Sequence, residues 1–342
     1  LAQFLEYLES GERDPEEITF MEPQAGGACR AGNIYNLLQR VLYRMAEQGQ
    51  LEYAQIPVIS LNLMGEEKHT GFRITPSLLS GGIAAGCYGD LIMCLYQQVK
   101  PYEQNPGETD RIRSQVEKKL CESIRRHRNG RHTREKNYRY ACEVFSKVPV
   151  TPGKKKRVGI TGEIYMKYSK LGNDDIESFL LRQGMEPYSG GFVNYCLYLV
   201  DTERYKAEKY QHNPIMAKAC AFVLHRLCEA QKHLLTVIGE TDRFQTDLPF
   251  PELKEKVQGI LAEGCNTGDG WLIAAEVIQY VEKGCGSVLI LHPFGCLVSH
   301  VCERGILQRL HARFPDVSIQ TIEYDYDQSK TLRESRILLA IS

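Results

Sequence analysis

The sequence predicts an α/β protein with mainly parallel sheets. Short apolar runs alternate with longer stretches whose apolar residues recur at helical spacing. The connections between them are short. Twice an apolar run ends in a glycine-bearing turn that opens a helix, the junction typical of a parallel sheet covered on both faces.

Taken in order, Ile18 to Met21 reads as a strand, followed by a glycine-rich loop from Ala25 to Gly32 and a helix from Ile34 to about Glu47. Ile56 to Leu63 is the next buried-strand candidate. Leu78 to about Val99 has apolar residues at helical spacing and is expected to end at Pro101. A charged helix follows from about Thr109 to Arg126. Arg125 to Lys136 is strongly basic, and Lys147 to Arg157 contains two prolines, a glycine and the run Lys154-Lys155-Lys156-Arg157; a basic run of this kind reads as a solvated linker, with partner docking the alternative. Val158 to Glu163 is a strand ending in glycine, with a helix expected from about Asp174 to Gln183. Val193 is a further strand candidate. Helical patterns dominate Pro214 to Gly239 and Gly268 to Lys283. Ser287 to His292 and Val317 to Tyr324 read as strands, Val298 to Phe314 and Thr331 to Ile341 as helices.

At 342 residues the chain has the length of about two domains. The basic linker sets the expected division at 1–150 and 151–342. Apolar residues at 43% and charged residues at 25% exclude a disordered or fibrous chain. The 42 Lys and Arg balance 43 Asp and Glu, so nucleic acid is not an expected partner and any electrostatic site is local. No uninterrupted apolar window reaches membrane-spanning length, so no membrane is expected either. The chain opens at Leu1 inside an apolar helix pattern, which reads as a fragment whose first domain is truncated. Its unpaired strand edge would then invite self-association, making a homodimer an expectation.

Twelve cysteines are many for a reducing cytoplasm and few for a disulfide scaffold, and none forms a C-x-x-C pair. Two of them share one setting. Cys29 and Cys296 each lie between the carboxyl end of an apolar run and the start of a helix, the edge at which open α/β sheets bind ligands. Unpaired N–H groups and the positive end of the dipole there stabilise a thiolate or an anionic cluster. Gly27, Arg30 and Gly295 flank these cysteines and are the expected cofactor-lining residues, glycine permitting close backbone approach. Two buried structural thiols, or a redox pair, are the competing readings. Cys87 and Cys94 read as core, and Cys302 is expected to face away from Cys296. The loop from Glu263 to Trp271, which holds the only tryptophan, reads equally as a helix cap at Asp269 with a core anchor and as part of a site. Glu323, Asp325 and Asp327 would share one strand face and could bind a hard cation, though Asp327 could equally cap the next helix. His292 is either a donor near Cys296 or a histidine satisfied by backbone.

The collinear set Gly26-Gly27-Ala28-Cys29-Arg30-Ala31-Gly32, Gln55 to Leu61, Val158 to Ile164 with Asn173-Asp174, Gly268 to Leu272, His292-Pro293-Phe294-Gly295-Cys296-Leu297 and Glu323 to Asp327 covers nearly the whole chain. In it the chain resembles the carboxyl-terminal half of the large 2-hydroxyglutaryl-CoA dehydratase activator-related proteins, similar to the dehydratase subunits and double-cubane cluster proteins. The resemblance implies two Rossmann-like domains with a 4Fe-4S or double-cubane iron–sulfur cluster in the cleft between them, ligated by Cys29 and Cys296. It implies ATP-dependent activase domains as partner and delivery of a low-potential electron to a small-molecule substrate, an acyl-CoA in that family. A further cysteine segment of the family lies upstream of Leu1, so this chain alone is expected to lack an intact cluster. A scaffold or regulatory module that keeps the fold without a cluster is the alternative.

Overall fold

The structure, a computed structural model, describes residues 2–23, 30–61, 75–325 and 327–342. It is α/β with two parallel sheets, as the alternation of patterns predicts. The chain forms two compact units, 1–74 and 75–342.

In the first unit α1 (Ala2–Glu9) precedes β1 (Phe20–Pro23), α2 (Ile34–Glu47) and β2 (Val58–Leu61). The two strands pair in parallel, Phe20 opposite Val58. Leu8, Leu42, Tyr53, Ile56 and Val58 form a small core of their own.

The second unit begins with three helices, α3 (Pro76–Val99), α4 (Glu108–Arg125) and α5 (Arg131–Ser146). Then come β3 (Arg157–Gly162), α6 (Ile164–Tyr168), α7 (Ile176–Arg182), β4 (Glu186–Tyr188), α8 (Phe192–Lys209), α9 (Pro214–Gly239), α10 (Phe250–Glu255), α11 (Gly270–Glu282), β5 (Cys285–Pro293), α12 (Arg304–Arg313), β6 (Ser318–Tyr324) and α13 (Lys330–Ile341). The four strands form one parallel sheet in the order β4-β3-β5-β6. Val288 to His292 are fully buried, as a strand covered on both faces requires.

The compact units do not divide at residue 150. Leu91, Leu95 and Val99 of α3, Val116 of α4 and Phe145 of α5 share one continuous core with Leu197, Trp271 and Ile290. The helices of 76–146 are therefore a layer of the second unit, because their apolar faces have that sheet and its helices to cover them. The basic stretch is structured as well: α5 occupies much of it, and Arg157 opens β3 by pairing with Glu186 at 2.7 Å.

Val193 is not in a strand. Val193, Leu197 and Asp201 are buried at intervals of one helical turn, and the segment from Phe192 forms the 18-residue helix α8. The strand that pairs there is the three-residue β4, which contains Pro187. Among the described residues one helical stretch, Pro76–Tyr102, has the length and apolarity of a membrane span, which the uninterrupted-window criterion missed. Its fully buried Leu91, Leu95 and Val99 face the protein core.

Candidate functional site

The strand order reverses at β3. Its successor β4 lies on one side, whereas β5, reached through the four helices from α8 to α11, lies on the other. The carboxyl ends of β3 and β5 therefore bound the crevice where open parallel sheets take ligands.

Gly162 closes β3 with φ +132°, and a Cβ there would stand 2.0 Å from the Leu291 carbonyl oxygen. Only glycine lets the two backbones approach so closely. The Glu163 N–H then donates to that same carbonyl at 2.8 Å, and the Glu163 carboxylate caps α6 by accepting from the N–H groups of Tyr165 and Met166. Across the crevice β5 ends at Pro293. Gly295 turns the chain with φ +74°, and Cys296 is half-buried immediately before the next helical residues. The thiol thus occupies the strand-to-helix turn that its sequence setting predicts. Phe294, Leu297 and Val301 around it are exposed, giving the edge an apolar rim.

The electrostatics differ from expectation. Burial pushes the Cys296 thiol above its usual range; hydrogen bonds with the Ser299 hydroxyl and N–H oppose this, and Glu303 and Glu163 reinforce it. The start of the helix does not produce a low thiol pKa here, because burial and two carboxyl groups outweigh it. The segment Ser299–Glu303 is a wide, π-type turn, a form often found at functional sites. Cys302 on it is half-buried, and burial raises its thiol pKa, with Cys265, Glu303 and Cys296 adding to the rise.

Sequence reasoning missed most of the acids. Glu303 is fully buried. Its Oε1 accepts from Ser299 Oγ at 2.7 Å, and its Oε2 has no hydrogen-bond partner. Burial, with Glu163 adding to it, raises its pKa to about 8. Asp269, 6% exposed, stands at the N-cap position of α11 but makes no side-chain cap hydrogen bond. Burial and then Glu163, Glu303 and Glu276 hold its carboxyl well above the usual range. Beneath them Lys167 Nζ pairs with Glu276 Oε1 at 2.7 Å, and Thr161 Oγ1 donates to Glu276 Oε2 at 2.5 Å. Gly162, Lys167, Tyr168, Asp269 and Glu276 line a cavity of about 10 Å³, room for roughly one water. The edge thus offers a thiol, two carboxyl groups whose pKa values burial raises, and a buried ion pair.

The remaining sequence expectations resolve as follows. His292 is fully buried; its Nδ1 lies 3.4 Å from the Pro293 carbonyl oxygen, and its Nε2 is without a partner. Glu323 is engaged by Arg304 at 3.0 Å and His300 at 3.5 Å. Asp325 follows the end of β6, so the three acids do not share a strand face, and Ser329, not Asp327, caps α13. Cys87 is core; Cys94 is half-buried and its thiol donates to the Gln245 carbonyl. Among the described residues no three His, Cys, Asp or Glu side chains group to hold a metal ion. Cys29 and Gly27 lie outside the described residues, and Arg30 begins a short 3-10 turn, Arg30–Asn33. A second cavity, near α3 and α8, contains Asp90 and Asp247. Both are engaged at the start of α8, Asp90 accepting from Phe192 and Val193 and Asp247 from Gly191.

The Glu303 carboxyl gives the fold a pH dependence with a definite sign. Its pKa is raised on folding, so between the ordinary value of 4.5 and about 8 the folded state holds a proton that the unfolded state has lost. Stability therefore falls as pH rises through this window and levels off above it. The expected loss for this group is on the order of 4 kcal/mol. Urea unfolding at pH 5 and pH 9 should show Glu303→Gln losing less stability than the parent by about that amount. Parallel losses in the two proteins would contradict the assignment.

Compared with known proteins, the chain matches no family model, no curated protein and no solved structure.

Proposed function

We propose that this chain is the iron–sulfur, electron-accepting component of an ATP-driven, low-potential reductase or dehydratase of the cytoplasm, acting on a small-molecule substrate of the CoA-thioester class. The observation that carries the reading is Cys296, a half-buried thiol at the turn from a central strand into a helix, beside the reversal of strand order. The donor chemistry there fits one ligand to a cluster. Cys29 is the second ligand that the family resemblance supplies, with Gly27, Arg30 and Gly295 lining the cofactor. ATP-dependent activase domains are the partner this reading requires.

A bound cluster would supply storage for single electrons at low potential. The chain's own residues supply the surroundings. Glu303, with a pKa of about 8, holds a proton in the neutral range that it can give up close to the thiol. Burial raises the pKa of the Asp269 carboxyl, which lines the cavity. Lys167 and Glu276 neutralise each other beneath the edge.

One observation favours a second reading, a scaffold that keeps the fold without a cluster: burial and the neighbouring acids hold the Cys296 proton on. Anaerobic reconstitution of the full-length protein with ferrous iron and sulfide separates the two. The cluster reading expects bound iron and acid-labile sulfide with charge-transfer absorbance, lost in Cys296→Ser. Protein that stays free of iron, or a Cys296→Ser variant that binds as much as the parent, leaves the scaffold reading.

A further inference from the structure

The turn joining α4 to α5 concentrates positive charge. Residues 125–136 contain Arg125, Arg126, Arg128, Arg131, Arg134 and Lys136, with His127 and His132, against one acid, Glu135. Two of the cations are engaged: Arg126 pairs with Glu122 at 2.5 Å, and Arg134 donates to the Asn129 carbonyl at 3.1 Å. Glu135 is occupied by Arg139 at 3.1 Å and lies 3.4 Å from His233. Arg125, Arg128, Arg131 and Lys136 are exposed and form no salt bridge among the described residues.

This turn is held in place. Arg128 N–H donates to the Ser123 carbonyl at 2.9 Å, and the Ser123 hydroxyl returns a bond to the Arg128 carbonyl at 2.9 Å. Asn129 is 5% exposed. His127 adopts φ +52°, unusual for a residue with a side chain, and its Nδ1 lies 3.1 Å from Ser77 Oγ.

Local stability does not account for this placement. Arg125 and Arg126 suit the carboxyl end of α4, but Arg131 and His132 stand in the first turn of α5, which contains no acid. Cations there oppose the helix dipole. A local rule broken without a compensating contact points to a use outside the fold.

The surroundings define that use. Leu78 and Leu79, 48% and 56% exposed, lie on the first turn of α3 beside His127. Apolar anchors ringed by arginine are the make-up of a protein interface. Two leucines are too few to hold a membrane surface. No aromatic residue lies in 125–136 to stack bases, and a net charge of −1 disfavours a long polyanion.

The surface also lies on the ligand side of the sheet. Tyr102 bonds Glu186 at the start of β4, Gln97 accepts from Ser189 just past its end, and Asp90 accepts from Phe192 beyond that. α3 therefore runs opposite to the strands, and Ser77 lies roughly 20 Å of helix beyond Asp90.

We propose that Arg125, Arg128, Arg131 and Lys136, with Leu78 and Leu79, form a docking surface for the acidic face of a partner protein. The proposal is independent of the cluster reading. The test uses the whole chain, a short labelled poly-glutamate peptide, duplex DNA and phosphatidylserine vesicles as probes. Two variants carry the same charge change: Arg125→Glu, Arg128→Glu, Arg131→Glu, Lys136→Glu on the surface, and Lys154→Glu, Lys156→Glu, Lys218→Glu, Arg313→Glu as control.

The expected result is salt-dependent binding of poly-glutamate that weakens about thirtyfold in the surface variant and by less than threefold in the control. The surface variant should unfold at nearly the same urea as the parent, since the gain from acid at the start of α5 offsets the loss of Arg125 at the end of α4. Equal weakening in both variants would show a global charge effect and overturn the proposal. Preferential binding of DNA or vesicles through the same residues would overturn the protein partner.

Discussion

Lys167→Met is expected to destabilise the fold by about 3–5 kcal/mol, because it leaves Glu276 as an unpaired charge in the interior. The two side chains are 4% and 3% exposed, and their 2.7 Å contact is the one ion pair of either residue among the described residues. The Thr161 hydroxyl satisfies the other oxygen of Glu276 but brings no charge. Glu276→Met added to Lys167→Met should recover more than half of it, since a buried pair replaced as a whole by apolar groups is close to neutral in cost. Urea midpoints of the parent, the single variants and the double variant complete the cycle. Additive losses would mean that the pair is not coupled as the geometry requires.

Gly162→Ala is expected to be as damaging, on the order of 4 kcal/mol, and to act on the site as well as the fold. The new Cβ would meet the Leu291 carbonyl oxygen at 2.0 Å and its nitrogen at 2.5 Å, both backbone atoms of a fully buried residue. Neither can move without opening the last rung between β3 and β5, Gly162 opposite Leu291. That rung positions Glu163 and the start of α6. Gly159→Ala is the comparison within the same strand. Its Cβ would meet the Tyr280 ring at 2.7 Å, a side chain that can shift in part, so the cost should be smaller. Hydrogen exchange at β5 amides should rise much more for Gly162→Ala; equal protection in both variants would refute the close-approach argument.

The parts of this fold that sequence made legible are those where a long pattern and a clear stop coincide. The helices at 34–47, 76–99 and 108–125 have apolar residues at helical spacing, and Pro101 closes the second. β5 reads from its continuous apolar run and β6 from its alternation. Cys296 was legible because Pro-Phe-Gly-Cys after such a run leaves only a strand-to-helix turn. β4 was not: three residues including a proline give no period, and Val193, which lies in α8, competed for the assignment. The division into units was hidden because a basic, proline-containing stretch looks like a linker, whereas contact is decided by the apolar faces of α3, α4 and α5. Lys167, Glu276 and Glu303 were invisible as site residues. They come from three separate helical segments, and only burial, which a sequence does not display, sets them apart from solvated charges. At Asp269 the sequence left a cap and a site role equal, since the missing cap hydrogen bond leaves no trace in sequence.

The measurement closest to the central claim is the iron and acid-labile sulfide content of the anaerobically reconstituted full-length protein, with Cys296→Ser beside Cys302→Ser. These two thiols are half-buried, have raised pKa values and lie within electrostatic reach of each other. A general effect of removing sulfur from this edge would touch both alike. A ligand role predicts that Cys296→Ser loses the iron and sulfide, because only Cys296 occupies the strand-to-helix turn, while Cys302→Ser keeps them. Equal retention in both variants, or equal loss, would contradict the assignment of Cys296 as the cluster ligand.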